Sequence, residues 1–347
     1  MTNIIQGMRE GLNTDLGSCH TTGRKVRFTF SSSTIVLTNL RLCYCIFSTR
    51  NQSRGDQVPQ GEDSRLDILI GFGGDVAAQN KDGDTAIHLA SQRGQANVVR
   101  MLIKRGANTT AKNKDGNTPL HMALSRYRGQ VDDNCMLIKH GTDVTAQDKD
   151  KTLLYQASRQ GHVDVTRVLL EHGADTTAQN NDGDTPLHIA SYQGQVDVAR
   201  MLVEDGADMS AQNKDGDIPL HVASSQGQVD VARFLIGCGA YLMTAKNTDG
   251  DTPLHLALSQ GQVDVVRMFV ERGADLTTKN TNGDTPLHVA STQGEVDVVC
   301  MLLELGPDVE ARNTAGKTPL QLALRQGHFD VADLLRMHGA GSDVTRY

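Results

Sequence analysis

A short motif that recurs every 33 or 34 residues is the feature that most constrains the fold of this chain. Its commonest form is Thr-Pro-Leu-His, and an Ala stands five positions after the first residue in every copy. The eight copies begin at Thr85, Thr118, Thr152, Thr185, Ile218, Thr252, Thr285 and Thr318. A fixed period of this length is typical of stacked units that bury their apolar faces against each other. The sequence therefore predicts an elongated array rather than one thick globule.

The unit that begins at Thr185 illustrates how each repeat is built. Thr185 can accept a hydrogen bond from an early backbone N–H, and Pro186 suits the first helical position, so a short helix is predicted to begin there. Gly194 is predicted to end this helix in a conformation that glycine adopts freely. A second, mostly apolar run from Val196 to Val203 predicts another helix, which Gly206 closes. Such an apolar helix must be buried between neighbouring units.

A polar segment precedes the motif and completes the unit. In the same repeat it is Asn180-Asn181-Asp182-Gly183-Asp184, which predicts a protruding β-turn or hairpin, here called the finger. With the motif, the mid-repeat Gly and the period, the chain resembles ankyrin-repeat proteins from Glu62 to Ala340. The resemblance implies an all-α repeat solenoid of stacked helix-turn-helix repeats with fingers. It also implies a concave face of fingers and first helices that commonly binds proteins, and no enzyme chemistry of its own.

The domain organisation follows from where the repeat holds. A half repeat at residues 62–84 is predicted to open an array that extends to residue 340, and residues 341–347 form a tail. Residues 1–60 lack the repeat and are predicted to be a poorly ordered segment; their Ser/Thr-rich composition also resembles a targeting peptide, against which Glu10 and Asp15 argue. In the last repeat, Gln321 replaces the motif His and Arg336 replaces an apolar residue, which predicts a polar terminal face.

Two irregularities interrupt the period. The repeat that begins at Thr118 carries two extra residues, most simply Tyr127-Arg128, and the finger after it lacks its Gly, so a local kink is predicted. A one-residue insertion falls around Tyr241-Leu242-Met243.

Charge and composition narrow the classes of partner and compartment. The formal charge is −7, and because residues 1–60 are basic, the rest of the chain carries about −11, which argues against binding nucleic acid. The apolar stretch from Ile35 to Phe47 is too short to span a membrane as a helix. Six cysteines without paired spacing favour a reducing compartment. The sequence therefore predicts a monomeric cytoplasmic or nuclear protein without membrane contact.

The repeated histidines invite a metal site, which the repeat geometry argues against. Neighbouring units lie roughly 8–10 Å apart, whereas ligands lie about 2 Å from a zinc ion, so these side chains are predicted to form structural hydrogen bonds. No nucleophile with a base at recognisable spacing and no phosphate-binding loop occurs. We therefore predict no catalytic, cofactor-binding or metal-binding residues and no enzyme activity.

Two sets of residues are candidates for contact with a partner protein. The first combines Tyr and Arg, which are enriched in interface hot spots, although Tyr155 replaces a motif His and is equally compatible with internal packing. This set comprises Tyr127, Arg128, Tyr155, Arg159 and Tyr192. The second set is an acidic ladder along the fingers, represented by Asp217 and Asp251, for which the alternative is a turn-forming and solvated role. The whole ladder comprises Asp82, Asp84, Asp115, Asp182, Asp184, Asp215, Asp217, Asp249, Asp251 and Asp284.

The function that these observations favour is a protein-binding adaptor or scaffold. Its partner would be another protein, docked on the concave face of fingers and first helices, and no cofactor is implied. The alternative is a regulatory or recruitment subunit of a larger enzyme assembly, with the chemistry on a partner. The absence of a second recognisable globular domain favours the adaptor.

Overall fold

The computed structural model describes residues 75–125, 136–144 and 152–341 of the 347-residue chain. Within these residues the secondary structure is entirely helical, without strands, and each repeat contributes two antiparallel helices. The predicted all-helical repeat solenoid is therefore confirmed. The predicted N-terminal segment at 1–60, most of the half repeat at 62–84 and the tail from residue 342 lie outside the described residues, as do Tyr127 and Arg128.

The first helices of the repeats follow one another along one side of the array. They are α1 (Ala86–Arg93), α3 (Pro119–Leu124), α4 (Leu153–Gln160), α6 (Pro186–Gln193), α8 (Pro219–Ser225), α10 (Pro253–Ser259), α12 (Pro286–Gln293) and α14 (Pro319–Gln326). The second helices are α2 (Ala96–Lys104), α5 (Val163–Glu171), α7 (Val196–Glu204), α9 (Val229–Cys238), α11 (Val263–Glu271), α13 (Val296–Leu303) and α15 (Phe329–Met337). Residues 136–139 are also helical and belong to the second helix of the second described repeat.

Helix boundaries fall where the side chains can satisfy terminal backbone groups. The backbone N–H of Thr185 donates to Nδ1 of His188 at 3.2 Å, and the Thr185 hydroxyl lies 2.8 Å from the same nitrogen. Gly194 ends α6 at φ +72°, and Gly206 follows α7 at φ +92°. Both glycines thus adopt the left-handed conformation that other residues disfavour. The predicted N-cap and helix ends of this unit are confirmed.

The core runs continuously between the two rows of helices. In the repeat of α6 and α7, Leu187, Ala190, Val198, Ala199 and Leu202 have no exposed surface. Neighbouring first helices contact each other more extensively than neighbouring second helices do, because the small Ala of the motif lies between them. A stack that is tighter on one side curves toward that side. The first helices therefore line the concave face.

The irregular positions have distinct local structures. The one-residue insertion after α9 forms a 3-10 helix at Ala240–Thr244, which buries Leu242 and leaves Tyr241 63% exposed. In the last repeat Gln321 and Arg336 are exposed, and Arg336 pairs with Asp333 at 2.8 Å. Leu324, Phe329 and Met337 are exposed as well, so the predicted polar terminal face is only partly polar. The prediction rested on Gln321 and Arg336 alone, whereas the exposed apolar residues stand at other positions of this repeat.

Candidate functional site

The solvent-facing side of the first helices consists of three positions in each repeat. In α6 these are the exposed Tyr192 and Gln193 and also Ile189, which is 8% exposed, whereas Leu187, His188 and Ala190 are at most 1% exposed. Residues spaced three and four apart share one face of a helix, so the three positions form one surface. Because this surface repeats in successive first helices, it runs along the concave side. We call it the concave face.

An apolar row occupies the centre of the concave face. Ile189 is only 8% exposed yet lies apart from the contiguous core, and the equivalent residues of the following repeats are half-buried. The row consists of Ile189, Val222, Leu256, Val289 and Leu322. Toward the N-terminus the same position holds Gln156, which interrupts the row, then Met122, and finally Leu89, which is buried in the core. The array thus presents apolar side chains at a constant interval on its inner side.

A row of glutamines accompanies the apolar row. In each of the five C-terminal repeats an exposed Gln follows the apolar residue by four positions, one helical turn later. These residues are Gln193, Gln226, Gln260, Gln293 and Gln326. Each repeat therefore offers one apolar contact and one side-chain amide, which can both donate and accept hydrogen bonds.

The predicted Tyr and Arg residues are distributed unevenly over this surface. Tyr192 is 50% exposed on the concave face, and Arg159 is exposed at the equivalent position of the preceding first helix, α4. Tyr155 is half-buried and forms a side-chain hydrogen bond with Asn180 of the next finger, while burial raises the pKa of its hydroxyl. Tyr155 thus connects two neighbouring repeats. This agrees with the internal packing that the sequence left open as an alternative to partner binding. Tyr127 and Arg128 lie outside the described residues.

The motif histidines connect each repeat to the next finger. His188 uses Nδ1 within its own helix cap, and its Nε2 donates to the backbone carbonyl of Asp217 at 2.9 Å. His255 makes the same contact with the carbonyl of Asp284 at 3.1 Å. Burial lowers the pKa of both imidazoles, which favours the neutral form. Among the described residues, no group of His, Cys, Asp and Glu could hold a metal ion.

The fingers are joined by an asparagine that sequence reasoning missed. Oδ1 of Asn213 accepts from the backbone N–H groups of Asp215 and Asp217, both at 3.0 Å, and so closes its own turn. Its Nδ2 donates to Oδ1 of Asp184 in the preceding finger at 2.9 Å. Asn247 and Asn280 repeat this arrangement with Asp217 and Asp251 as acceptors. The signal was present in the sequence, because this Asn recurs five residues before most motif copies.

The two predicted ladder residues are therefore bound within the array. Oδ1 of Asp217 accepts from Asn247 at 2.8 Å, and Oδ1 of Asp251 accepts from Asn280 at 2.9 Å. Both side chains are half-buried, and burial raises the pKa of Asp217. These side chains therefore have a structural role, as the turn-forming alternative supposed. That role goes beyond a single turn, because each carboxylate joins its finger to the next one.

Other carboxylates of the predicted acidic ladder face solvent. Two residues before four of the joining Asp residues stands an exposed acidic residue: Asp82, Asp182, Asp215 and Asp249. Before the joining Asp284 this position holds Asn282. Their backbone carbonyls accept from the next finger, as Asp182 does from the N–H of Lys214 at 2.9 Å, but their side chains remain exposed. We call these residues the tip aspartates. They provide negative charge along the edge of the concave face.

The family comparison agrees with this architecture. The model described as ankyrin repeats, in three copies, matches residues 58–148, 135–213, 205–280 and 275–346. The comparison with curated proteins gives no match. Within the described residues, no helix is long and apolar enough to cross a membrane.

Proposed function

Because the chain belongs to the ankyrin-repeat family, whose repeats are generally modules for protein–protein interaction, we propose that it is an adaptor or scaffold. It docks a partner protein on the concave face and contributes no chemistry of its own. The observation that carries the proposal is that two groups of side chains differ in their surroundings. The motif histidines and joining Asn and Asp residues bond within the array, whereas the Gln row and Tyr192 are exposed and the apolar row from Val222 to Leu322 is half-buried.

We place the anchor of the partner in the irregular region from Tyr127 to Tyr192. Tyr192 and Arg159 present large exposed side chains there, whereas the later repeats hold Ser225, Ser259 and Thr292 at the same position. Large side chains with few rotatable bonds bury much area at a low entropic cost. Tyr127 and Arg128 extend this anchor by their sequence position. Tyr155 supports it from within by holding the finger of Asn180.

The acidic component of the proposed surface lies at the finger tips. Asp215 and Asp249 contact the partner, whereas Asp217 and Asp251 act indirectly by fixing the distance between consecutive fingers. The protein works in the cytoplasm or the nucleus as a monomeric array, with another protein as its partner. The long-range effect of the tip charges is to speed encounter with a basic partner at low salt.

Affinity capture with the full chain tests the proposal. After a captured protein has been identified, Tyr192→Ala should weaken its binding by about 1–2 kcal/mol, whereas Ser259→Ala, at the same position of a later repeat, should change it by less than about 0.5 kcal/mol. Asp215→Asn with Asp249→Asn should reduce the salt dependence of binding. A captured protein that is insensitive to all of these changes would place its contact elsewhere on the array.

A further inference from the structure

The five C-terminal repeats present a strictly periodic surface that extends beyond the anchor at Tyr192. From α6 to α14 each first helix carries one apolar side chain of the apolar row, which is 8% exposed at Ile189 and half-buried in the later repeats, and one exposed amide of the Gln row in the same register. A surface that repeats at every step fits a ligand that also repeats. The interval between the steps therefore defines the conformation of that ligand.

The interval matches an extended left-handed chain. Packed helices lie about 8–10 Å apart. A polyproline II chain rises about 3.1 Å per residue with three residues per turn, so every third side chain points the same way at intervals of about 9 Å. In a β-strand, by contrast, every third side chain points to the opposite face. The apolar row, from Ile189 to Leu322, would then contact every third residue of a segment of about 13 residues.

The Gln row distinguishes this ligand from a helix. An α-helix could match the interval with every seventh residue, but its backbone N–H and C=O groups bond to one another. A polyproline II chain has no internal hydrogen bonds, so its backbone groups remain available. Side-chain amides supply both a donor and an acceptor, and Gln226, Gln260 and Gln293 each present one per repeat. The Gln row can therefore form hydrogen bonds with the free backbone N–H and C=O groups of an extended peptide.

The negative charge of the array favours basic side chains at the ligand positions between the apolar residues. The exposed carboxylates of Asp182, Asp215 and Asp249 flank the first three of these five repeats, and the chain outside residues 1–60 is strongly acidic. The equivalent positions of the last two repeats hold Asn282 and Ala315. Lys or Arg at the positions between the apolar residues would extend toward these finger tips. Complementary charge of this kind favours encounter and fixes the register.

Resting on the proposed function, we propose that the concave face from α6 to α14 binds a basic polyproline II segment of a partner protein, with an apolar residue at every third position. The apolar residues contact the apolar row, the Gln row bonds to the peptide backbone, and the tip aspartates attract the basic side chains.

Synthetic peptides test this proposal on the full chain. The probe is a fluorescein-labelled peptide of Leu-Pro-Lys triplets, about 15 residues long, which holds its Leu residues at the required interval. The control has the same composition, with its Leu residues moved to irregular spacings. Fluorescence anisotropy should show at least about tenfold tighter binding of the triplet peptide. Equal binding of the two peptides, or binding of neither, would overturn the proposal.

Variants locate the binding on the concave face. Val222→Asp should weaken binding of the triplet peptide about tenfold, whereas the matched change Val296→Asp, on the second helix α13, should leave it unchanged. Gln226→Ala combined with Gln260→Ala changes only exposed side chains and should weaken binding several-fold without altering the thermal midpoint. Binding that survives both sets of changes would also overturn the proposal.

A competition experiment separates this proposal from the proposed function. The triplet peptide should displace a protein captured through Tyr192. If capture depends on Tyr192 but the peptide neither binds nor competes, the periodic ligand is wrong and the adaptor function stands. If the peptide binds as expected while no protein is captured through this face, the adaptor function is the part that fails.

Discussion

The side-chain amide of Gln228 lies directly over Gly194 of the preceding repeat and donates a hydrogen bond to the backbone carbonyl of Tyr192 at 3.3 Å. A Cβ atom on Gly194 would collide with this amide. Gln262 occupies the same place over Gly227 and donates to the carbonyl of Ser225 at 3.1 Å. The glycine is thus needed for two reasons: it ends the first helix at positive φ, and it makes room for a side chain of the next repeat.

Gly194→Ala should destabilise the array more than Gly206→Ala does. Both residues have positive φ, which costs a non-glycine residue about 1–2 kcal/mol. Among the described residues, space is open around Gly206, so its change carries that cost alone. A methyl group at Gly194 must also displace the flexible end of Gln228 and break its hydrogen bond to the carbonyl of Tyr192, which adds about 1 kcal/mol. Urea unfolding followed by circular dichroism measures the difference. In a Gln228→Ala background Gly194→Ala should cost no more than Gly206→Ala, and a larger loss there would refute the steric explanation.

Asn247→Ala should cost more stability than Asp217→Ala. Asn247 closes its own finger by accepting from Asp249 at 3.1 Å and Asp251 at 2.9 Å, and it also donates to Asp217 in the preceding finger. At about 1 kcal/mol for each hydrogen bond, we expect losses of about 3 kcal/mol for Asn247→Ala and about 1 kcal/mol for Asp217→Ala. The double variant should have the same free energy of unfolding as Asn247→Ala alone, within measurement error. Additive losses in thermal unfolding would show that the two side chains act independently.

The sequence predicts the structure within a repeat better than the contacts between repeats. The Thr185 cap and the Gly194 helix end follow from local chemistry, which a short window of sequence contains. The bonds from His188 to Asp217 and from Asn213 to Asp184 span 29 residues, and they depend on the rise and rotation between units. The period shows which residues recur in every repeat. The hydrogen-bond partner of each residue can be identified only when the geometry of the stacked repeats is known.

The candidate site illustrates the same limit. Asp217 and Asp215 look equivalent as acidic turn residues, yet the first is bonded to the next finger and the second is exposed. Likewise, Tyr155 and Tyr192 differ in burial because one takes the place of a motif His and the other lies on the open side of its helix. The apolar row could have been found from the sequence, since its members stand four residues after the first residue of each motif.

Ser191→Ala should leave the array equally stable or stabilise it by up to about 1 kcal/mol. The Ser191 hydroxyl is buried and has no hydrogen-bond partner among the residues that the structure describes, and an unsatisfied buried hydroxyl costs free energy in the folded state. The equivalent Ser224 donates to the carbonyl of Leu220 at 2.6 Å, so Ser224→Ala is the matched control and should lose about 1 kcal/mol. Chemical denaturation compares the two variants. A loss at Ser191 equal to that at Ser224 would show that its hydroxyl is bonded in solution.

A buried imidazole makes the stability of the array depend on pH. Nδ1 of His221 accepts from the backbone N–H of Ile218 at 3.3 Å, and Nε2 donates to the carbonyl of Asp251 at 2.9 Å. A proton added to Nδ1 would face that N–H, and burial lowers the pKa of His221 from 6.5 to about 4. Burial also lowers the pKa of His88, His188, His255 and His288.

Acidification from pH 7 to pH 5 should therefore destabilise the array. Below pH 6.5 His221 becomes protonated in the unfolded chain, whereas in the folded chain it stays neutral down to about pH 4. The stability that is present above pH 6.5 is therefore lost as the pH falls from 6.5 toward 4. His221 alone should account for about 2 kcal/mol at pH 5. Gln321 fills the same position in the last repeat and accepts from the N–H of Thr318 at 3.3 Å, so His221→Gln retains the cap without the titrating group. Urea unfolding at several pH values should show a shallower pH dependence for His221→Gln than for the unaltered chain, and an identical slope would exclude His221 as a source of the acid sensitivity.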